Sequence, residues 1–236
     1  RHRQALEGQF RDALEAERDQ IAATIAEGTS KAIKDGAKAT DKAASEVLDA
    51  YDWQAWGAKI REDIEAPIRA AYETAMNEGL ASVQGVFAGV NEAAVKYAED
   101  RAAELVGMHK MPDGTFAPSV RPGISITDST RDMLRATVKD AIANESQYSE
   151  IQKALREHYA FSDARAKAIS RTELGFAYNR GNVASWAATG TKFVQVFDGD
   201  DDGPCAMANG SIWTTDDAME NPLEHPNCTR AFAPLA

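Results

Sequence analysis

The stretch FDGDDDGPCAMANG, residues 197–210, holds the densest chemistry in the sequence. Asp198, Asp200, Asp202 and Gly203 match the first six positions of a calcium loop, D-x-D-x-D-G, where alternate carboxylates point inward and the glycine permits a sharp turn. The twelfth position of such a loop is a bidentate glutamate, and here it is Asn209. Half the motif is present, which makes Asp198, Asp200 and Asp202 candidate ligands for calcium or another divalent cation. The competing reading is a solvated acidic turn in which one aspartate accepts backbone N–H groups. Downstream, NPLEHPNCTR supplies His225 and Cys228, which with Cys205 make three soft metal ligands, Asp202 being a possible fourth. Zinc sites usually carry paired C-x-x-C spacing on both sides, whereas each side here has one cysteine. A disulfide or a pair of neighbouring reduced thiols therefore stands beside the metal reading. An enzyme would gather Asp198, Asp200, Asp202, Glu173 and His225 about a divalent metal, as nucleases do. The sequence has no nucleophile with an obvious partner, no phosphate-binding glycine loop and no hydrolase signature.

These residues need elements to position them. SDARAKAISRTELGFAYNRGNVASWAATG reads as one long helix, capped by Ser162 and ended by Gly190. Glu173 and Arg180 share a face, Thr172 and Asn179 lie seven apart, and Ile169, Phe176 and Val183 form the adjoining apolar stripe. Polar groups beside such a stripe need partners, so Arg171, Glu173 and Asn179 are expected to tie the helix to the tail. After Gly190, KFVQVF alternates and reads as a strand, with GSIWTT and TRAFAPL as two further short strands and residues 198–204 as the turn leaving the first.

The first half reads as helix almost throughout. Leu6, Phe10, Leu14, Ile21 and Ile25 make one narrow apolar stripe, a pattern suited to docking on a partner helix. Gly28 reads as a stop, followed by a weakly structured link. Helix resumes near Asp41, with Trp56, Ile60, Ile64 and Ile68 four apart, and Pro67 is expected to kink it or start a new helix. Residues 109–127 hold three prolines and two glycines and read as a linker. Helix then restarts with Asp128 as its N-cap. The fold class expected is α+β, predominantly α-helical, with long N-terminal helices and a small C-terminal helix-plus-β-sheet module. The expected division is 1–108, an N-terminal helical arm; 109–127, a linker; and 128–236, the C-terminal domain.

Of the 236 residues, 26 are Lys or Arg and 37 Asp or Glu, a net charge of −11, which opposes indiscriminate DNA binding. Residues 151–192 are locally basic, with seven cations against three anions, a weak footprint that predicts modest or no DNA affinity and strong salt sensitivity. No apolar run is long enough for a membrane span. The chain opens on RHRQALEG, without a methionine or a signal-like segment, which reads as part of a longer polypeptide.

The order ISRTEL, a helix asparagine, an acidic residue after the first strand, a cysteine, a glycine and finally HPNC resembles the phage Mu F-like minor head proteins, the phage head morphogenesis family, over about residues 128 to 235. Arg171, Thr172 and Glu173 match its R-T-E. Asn179, Asp198, Cys205, Gly210, His225, Pro226 and Cys228 match its later positions. Many members carry two further cysteines where this chain has Asp202 and Arg230, and that replacement pair is expected to form a salt bridge. The resemblance implies a minor capsid protein of a tailed phage, associated with the portal vertex and involved in head assembly or genome delivery, and not an enzyme. It implies the portal protein or capsid protein as partner, self-association through the N-terminal helices as a further possibility, no required cofactor, and a place in the virion after assembly in the bacterial host cytoplasm. The rival readings are the metal-dependent nuclease and a helical interaction module outside the virion.

Overall fold

The computed structural model describes residues 2–119, 125–199 and 202–235. Helix spacing of apolar residues dictates most of it. The stripe Leu6, Phe10 and Leu14 falls on α1 (His2–Ala16), Ile21 and Ile25 on α2 (Arg18–Lys34), and all five side chains are buried by the chain itself. The stripe therefore belongs to this protein's own core, which corrects the expectation that it is a docking face for a partner helix.

Contacts group the chain into two compact units, each drawn from separated segments, a grouping that cuts across the chain-order division 1–108, 109–127 and 128–236. One unit comprises Gly8–Asp63 and Ala102–Ala166. Here α2 packs on α3 (Asp41–Leu48), α6 (Ile126–Ala143) and α7 (Tyr148–Arg156), burying Ile21, Ile25, Leu48, Leu134, Val138, Ile151 and Leu155. Helix α2 does not stop at Gly28: Ala22, Ile25, Ala26 and Thr29 continue its buried stripe, and Thr29 returns its hydroxyl proton to the Ile25 carbonyl. Thr40, whose hydroxyl accepts the Ala43 N–H, caps α3. The cap of α6 is Ser125, not Asp128, because the Ser125 hydroxyl accepts the Asp128 N–H. Asp128 thus sits in the first turn, where its charge complements the helix dipole. Residues 109–127, expected as a linker, include most of a hairpin of two short antiparallel strands, β1 (Met108–Lys110) and β2 (Phe116–Pro118), turned by Asp113, whose carboxylate accepts from the Thr115 N–H and hydroxyl. The Arg61 guanidinium lies over the Phe116 ring, 4.1 Å from its centre.

Helix α4 (Trp53–Ser82) runs unbroken through Pro67. The proline removes one N–H donor, but Trp56, Ile60, Ile64 and Ile68 are buried on either side of it and hold the helix together.

The other unit comprises Arg1–Glu7, Ile64–Arg101 and Lys167–Ala236. It contains the C-terminal part of α4, most of α5 (Val90–Leu105) and of α8 (Asp163–Ala188), and a three-stranded antiparallel sheet of order β4-β3-β5. Those strands are β3 (Phe193–Phe197), β4 (Ile212–Thr214) and β5 (Ala231–Leu235), as their alternating pattern predicts. Tyr72 and Met76 of α4, Ala94 of α5 and Ala177 of α8 share one core cluster, and Tyr72 stacks on Tyr97. The inward face of β3, Val194 and Val196, is fully buried, Val194 in one cluster with Val183, Trp186 and Ala218. The Trp186 indole N–H donates to the Gly79 carbonyl and to the Ser82 hydroxyl. Two one-and-a-half-turn helices escaped the sequence reading: α9 (Gly203–Ala208) and α10 (Thr215–Glu220), each capped at its N-terminus, by Asp202 and by Thr214.

Candidate functional site

The site is built on α8 and the tail that crosses it. Thr172, Gly175 and Asn179 lie at i, i+3 and i+7, a single helical stripe. The Thr172 hydroxyl accepts the Asn227 N–H at 3.0 Å while donating to its own helix at Ala168. A side chain at Gly175 would meet Leu223 at 3.1 Å, so the glycine lets the tail lie close. The buried Asn179 amide donates to two carbonyls, Pro222 and Arg230, both at 2.8 Å. One asparagine therefore fastens both ends of the segment that carries His225 and Cys228. Of the residues expected to tie helix to tail, Asn179 does so, and Thr172, which was not among them, joins it. Arg171 is exposed, and Glu173 turns elsewhere.

Glu173 pairs with Arg101 of α5, through Nε to Oε2 at 2.7 Å and Nη2 to Oε1 at 2.8 Å, with both residues buried. This fork matches the guanidinium's two parallel donors to the carboxylate's two oxygens. The Arg101 guanidinium also lies 4.4 Å from the centre of the Phe176 ring. Phe176 in turn covers the cluster of Cys205, Leu223 and Cys228.

The aspartate stretch divides. Asp198 is buried and accepts from Arg230 Nε at 2.9 Å. Arg230 further donates to Glu224 and to the Asn221 carbonyl, and its guanidinium stands 5.0 Å from the Trp213 ring centre. The Asn209 side-chain oxygen, at the calcium-loop position that calls for glutamate, accepts the Asp198 backbone N–H. Asp202 is exposed and has other partners: one oxygen caps α9 by accepting the Cys205 N–H at 3.0 Å, and the other lies 2.7 Å from His225 Nε2. Hydrogen bonds from the Cys205 thiol, and then from its backbone N–H, hold the Asp202 carboxyl below the usual carboxylate range. The expected Asp202–Arg230 salt bridge is thus replaced by two separate pairs, Asp198 with Arg230 and Asp202 with His225. The reason is position: Arg230 leads into β5, which pairs along β3 and brings it beside Asp198 at the end of that strand. Asp200 lies outside the described residues.

Cys205 and Cys228 are both buried and both free, their sulfurs 3.8 Å apart. The structure therefore brings them together as neighbouring thiols. His225 Nε2 is 3.4 Å from Cys205 Sγ, and Asp198 lies 3.8 Å from Cys228 Sγ. Burial, reinforced by the nearby carboxylates, pushes the Cys205 thiol up, the opposite of the thiolate that nucleophilic chemistry requires. His225 Nδ1 faces the Pro226 carbonyl at 2.9 Å. Gly210 turns the chain between α9 and β4 at φ +80°, a conformation that L side chains rarely adopt. Cys205, His225 and Cys228 offer ligand atoms within 4.8 Å of one another, and among the described residues they are the group that could hold a metal ion.

The sequence reading missed Arg101, Glu224 and Leu223. Arg101 carried one signal: it follows Tyr97 by four on a helix whose other buried residues are alanines and Leu105. Residues 132–232, which include α8 and the tail, match the family model described as Phage Mu protein F like protein. No curated protein and no solved structure matches the chain.

Proposed function

We propose, from the premise that residues 132–232 make this a phage Mu F-like chain and with it a phage head morphogenesis protein, that it is a minor capsid component at the portal vertex of a tailed phage. Its role there is in head assembly or genome delivery, in contact with the portal protein or the capsid protein. The observation that carries this reading is the family match over the segment in which α8 and the tail fasten each other. Head proteins of this kind interact with other head proteins and associate with the virion.

The chemistry of the site supports a structural role. The nuclease reading needs Glu173, Asp198, Asp202 and His225 about one metal. Glu173 and Asp198 are instead clamped by two different arginines, Arg101 and Arg230. Buried charges held this way serve packing more readily than they serve a migrating proton. The basic stretch supports weak DNA binding at most: Arg165 is buried, Arg156 pairs with Asp19, and Lys167 with Glu7. No helix of the described chain is long and apolar enough to cross a membrane.

The test is to find the chain in assembled particles. Mass spectrometry of purified heads, with a tagged chain used to recover the portal ring, should place it in the virion in few copies. Its absence from particles, with no portal protein recovered, overturns the reading. Chelator-sensitive cleavage of DNA by the purified chain would favour the nuclease instead.

A further inference from the structure

We propose that Cys205, Cys228, His225 and Asp202 bind one Zn²⁺ tetrahedrally, and that this ion is the clasp of the C-terminal tail. The edge of a regular tetrahedron is 1.63 times the centre-to-corner length, so Zn–S bonds of about 2.3 Å set two sulfurs about 3.8 Å apart, and a Zn–N bond of about 2.0 Å sets nitrogen about 3.5 Å from sulfur. The sulfurs here are 3.8 Å apart, and Cys205 Sγ to His225 Nε2 is 3.4 Å. Two edges of the coordination figure are already in place.

The histidine is oriented for the same purpose. Its Nδ1 faces a carbonyl, Pro226 O, at 2.9 Å, so that nitrogen carries a proton and Nε2 is the ring nitrogen turned toward Cys205 and Asp202. An outer N–H given to a backbone carbonyl is the arrangement that fixes a metal-bound imidazole. Asp202, outside the three-residue group but in contact with its histidine, is the fourth ligand we assign. One of its oxygens is held by the Cys205 N–H, and the other is 2.7 Å from Nε2. A proton on Nε2 makes this contact a hydrogen-bonded ion pair, and a metal ion would take that proton's place between the two groups. A cation bound by both would open the pair to about 3.3 Å for ordinary zinc bond lengths.

The surroundings are rigid where a preorganised site needs them to be. Asp202 sits at the N-cap of α9, and Cys205 lies three residues on in that helix. Asn179 holds the carbonyls of Pro222 and Arg230, on either side of His225 and Cys228. Asp198, locked on Arg230, lies against Cys228 Sγ. Phe176 and Leu223 pack on the sulfurs, while Asp202 is exposed and gives the ion a path inward.

The donor set selects the ion. Two thiolates, an imidazole and a carboxylate suit tetrahedral Zn²⁺, whereas calcium takes six to eight oxygens. Binding forms four metal–ligand bonds and sends the two thiol protons, together with the proton on His225 Nε2 where it carries one, to solvent. A disulfide would draw the sulfurs to about 2.05 Å and give Asp202 and His225 no part in the link.

The reduced full-length chain, stripped with chelator and titrated with Co²⁺, decides the matter. One Co²⁺ per chain is expected, with sulfur-to-cobalt charge-transfer bands in the near ultraviolet and the intense visible bands of a tetrahedral ion, all erased by one equivalent of Zn²⁺. C228S should abolish the charge-transfer bands, or reduce them to half their strength if one thiolate still binds. D202N keeps the helix cap, since asparagine caps as well as aspartate, and should weaken metal binding at least about tenfold. A reduced wild-type chain that shows no bands while both thiols react with a thiol reagent overturns the proposal. So does a D202N chain of unchanged affinity with an unchanged spectrum. Because wild type and D202N suffice, a C228S chain that fails to fold does not blunt the test.

Discussion

Arg101 and Glu173 exchange two charged hydrogen bonds in the interior, and the physics of that pair is asymmetric. Removing either partner strands a buried charge, so R101A or E173A should each destabilise the protein by about 3–5 kcal/mol in urea denaturation. The joint replacement R101M/E173L, which removes both charges and keeps the volume, should cost far less than the sum. His158 makes a second prediction, this one about pH. Its Nδ1 accepts the Ala160 N–H, and burial, with the Arg165 charge behind it, lowers its pKa from 6.5. A depressed folded pKa means that folding favours the neutral ring. The contribution is therefore complete above the unfolded value of about 6.5 and is lost as pH falls through the lower folded value. The urea midpoint of wild type should drop over that window, and the difference from H158N, which cannot titrate there, should report it. At this scale the sequence was partly readable. Asn179 and Thr172 stood at the right helical offset for a tail to bind. Glu173 visibly needed a partner, but nothing local named Arg101, 72 residues away. Arg230 was credited to Asp202 because the cysteine pattern put them in matching places, and β-pairing decided otherwise.

Helices α4 and α8 approach closely within their unit, and Gly181 makes that possible. A Cβ there would stand 2.8 Å from both Ala75 Cβ and the Tyr72 carbonyl oxygen. G181A should therefore destabilise by about 1–3 kcal/mol through overpacking, outweighing the gain of about 1 kcal/mol in helix propensity. G8A is the control, since a Cβ at Gly8 meets little beyond an Arg11 terminal nitrogen at 4.0 Å, and it should be neutral or mildly stabilising by guanidinium denaturation. Element types were legible wherever apolar periodicity ran long, as in α4, α8 and β3. The helices α9 and α10 were not, because six residues are too few to establish a 3.6-residue period. Their caps, Asp202 and Thr214, were the available signal. Gly28 misled because burial on the surrounding turns outweighs a local breaker, and Pro67 starts no new helix.

At the scale of the whole molecule, the division into units matters more than any single contact. The unit that holds the tail takes in Ile64–Arg101, outside the family-matched segment. A fragment of residues 128–236 would lack Arg101, the Tyr72, Met76 and Ala94 cluster, and the acceptors of the Trp186 indole. It should show no cooperative thermal transition by circular dichroism, whereas the full chain should show one. A sharp transition in the fragment would mean that the tail module stands without those helices. The contact grouping was not legible in the sequence, because sequence order carries no record of which distant segments will meet.

That meeting has a timetable. Trp186 finds its acceptor at Gly79, 107 residues earlier in the chain. Ribosomes add about 5–20 residues per second, so the earlier helix waits roughly 5–20 s for the later one to be synthesised. During that interval Tyr72 and Met76 have no α8 to cover them. Newly made chains are then at their stickiest, and slowing translation across the intervening stretch should lengthen their exposure to holding chaperones and to premature association with one another.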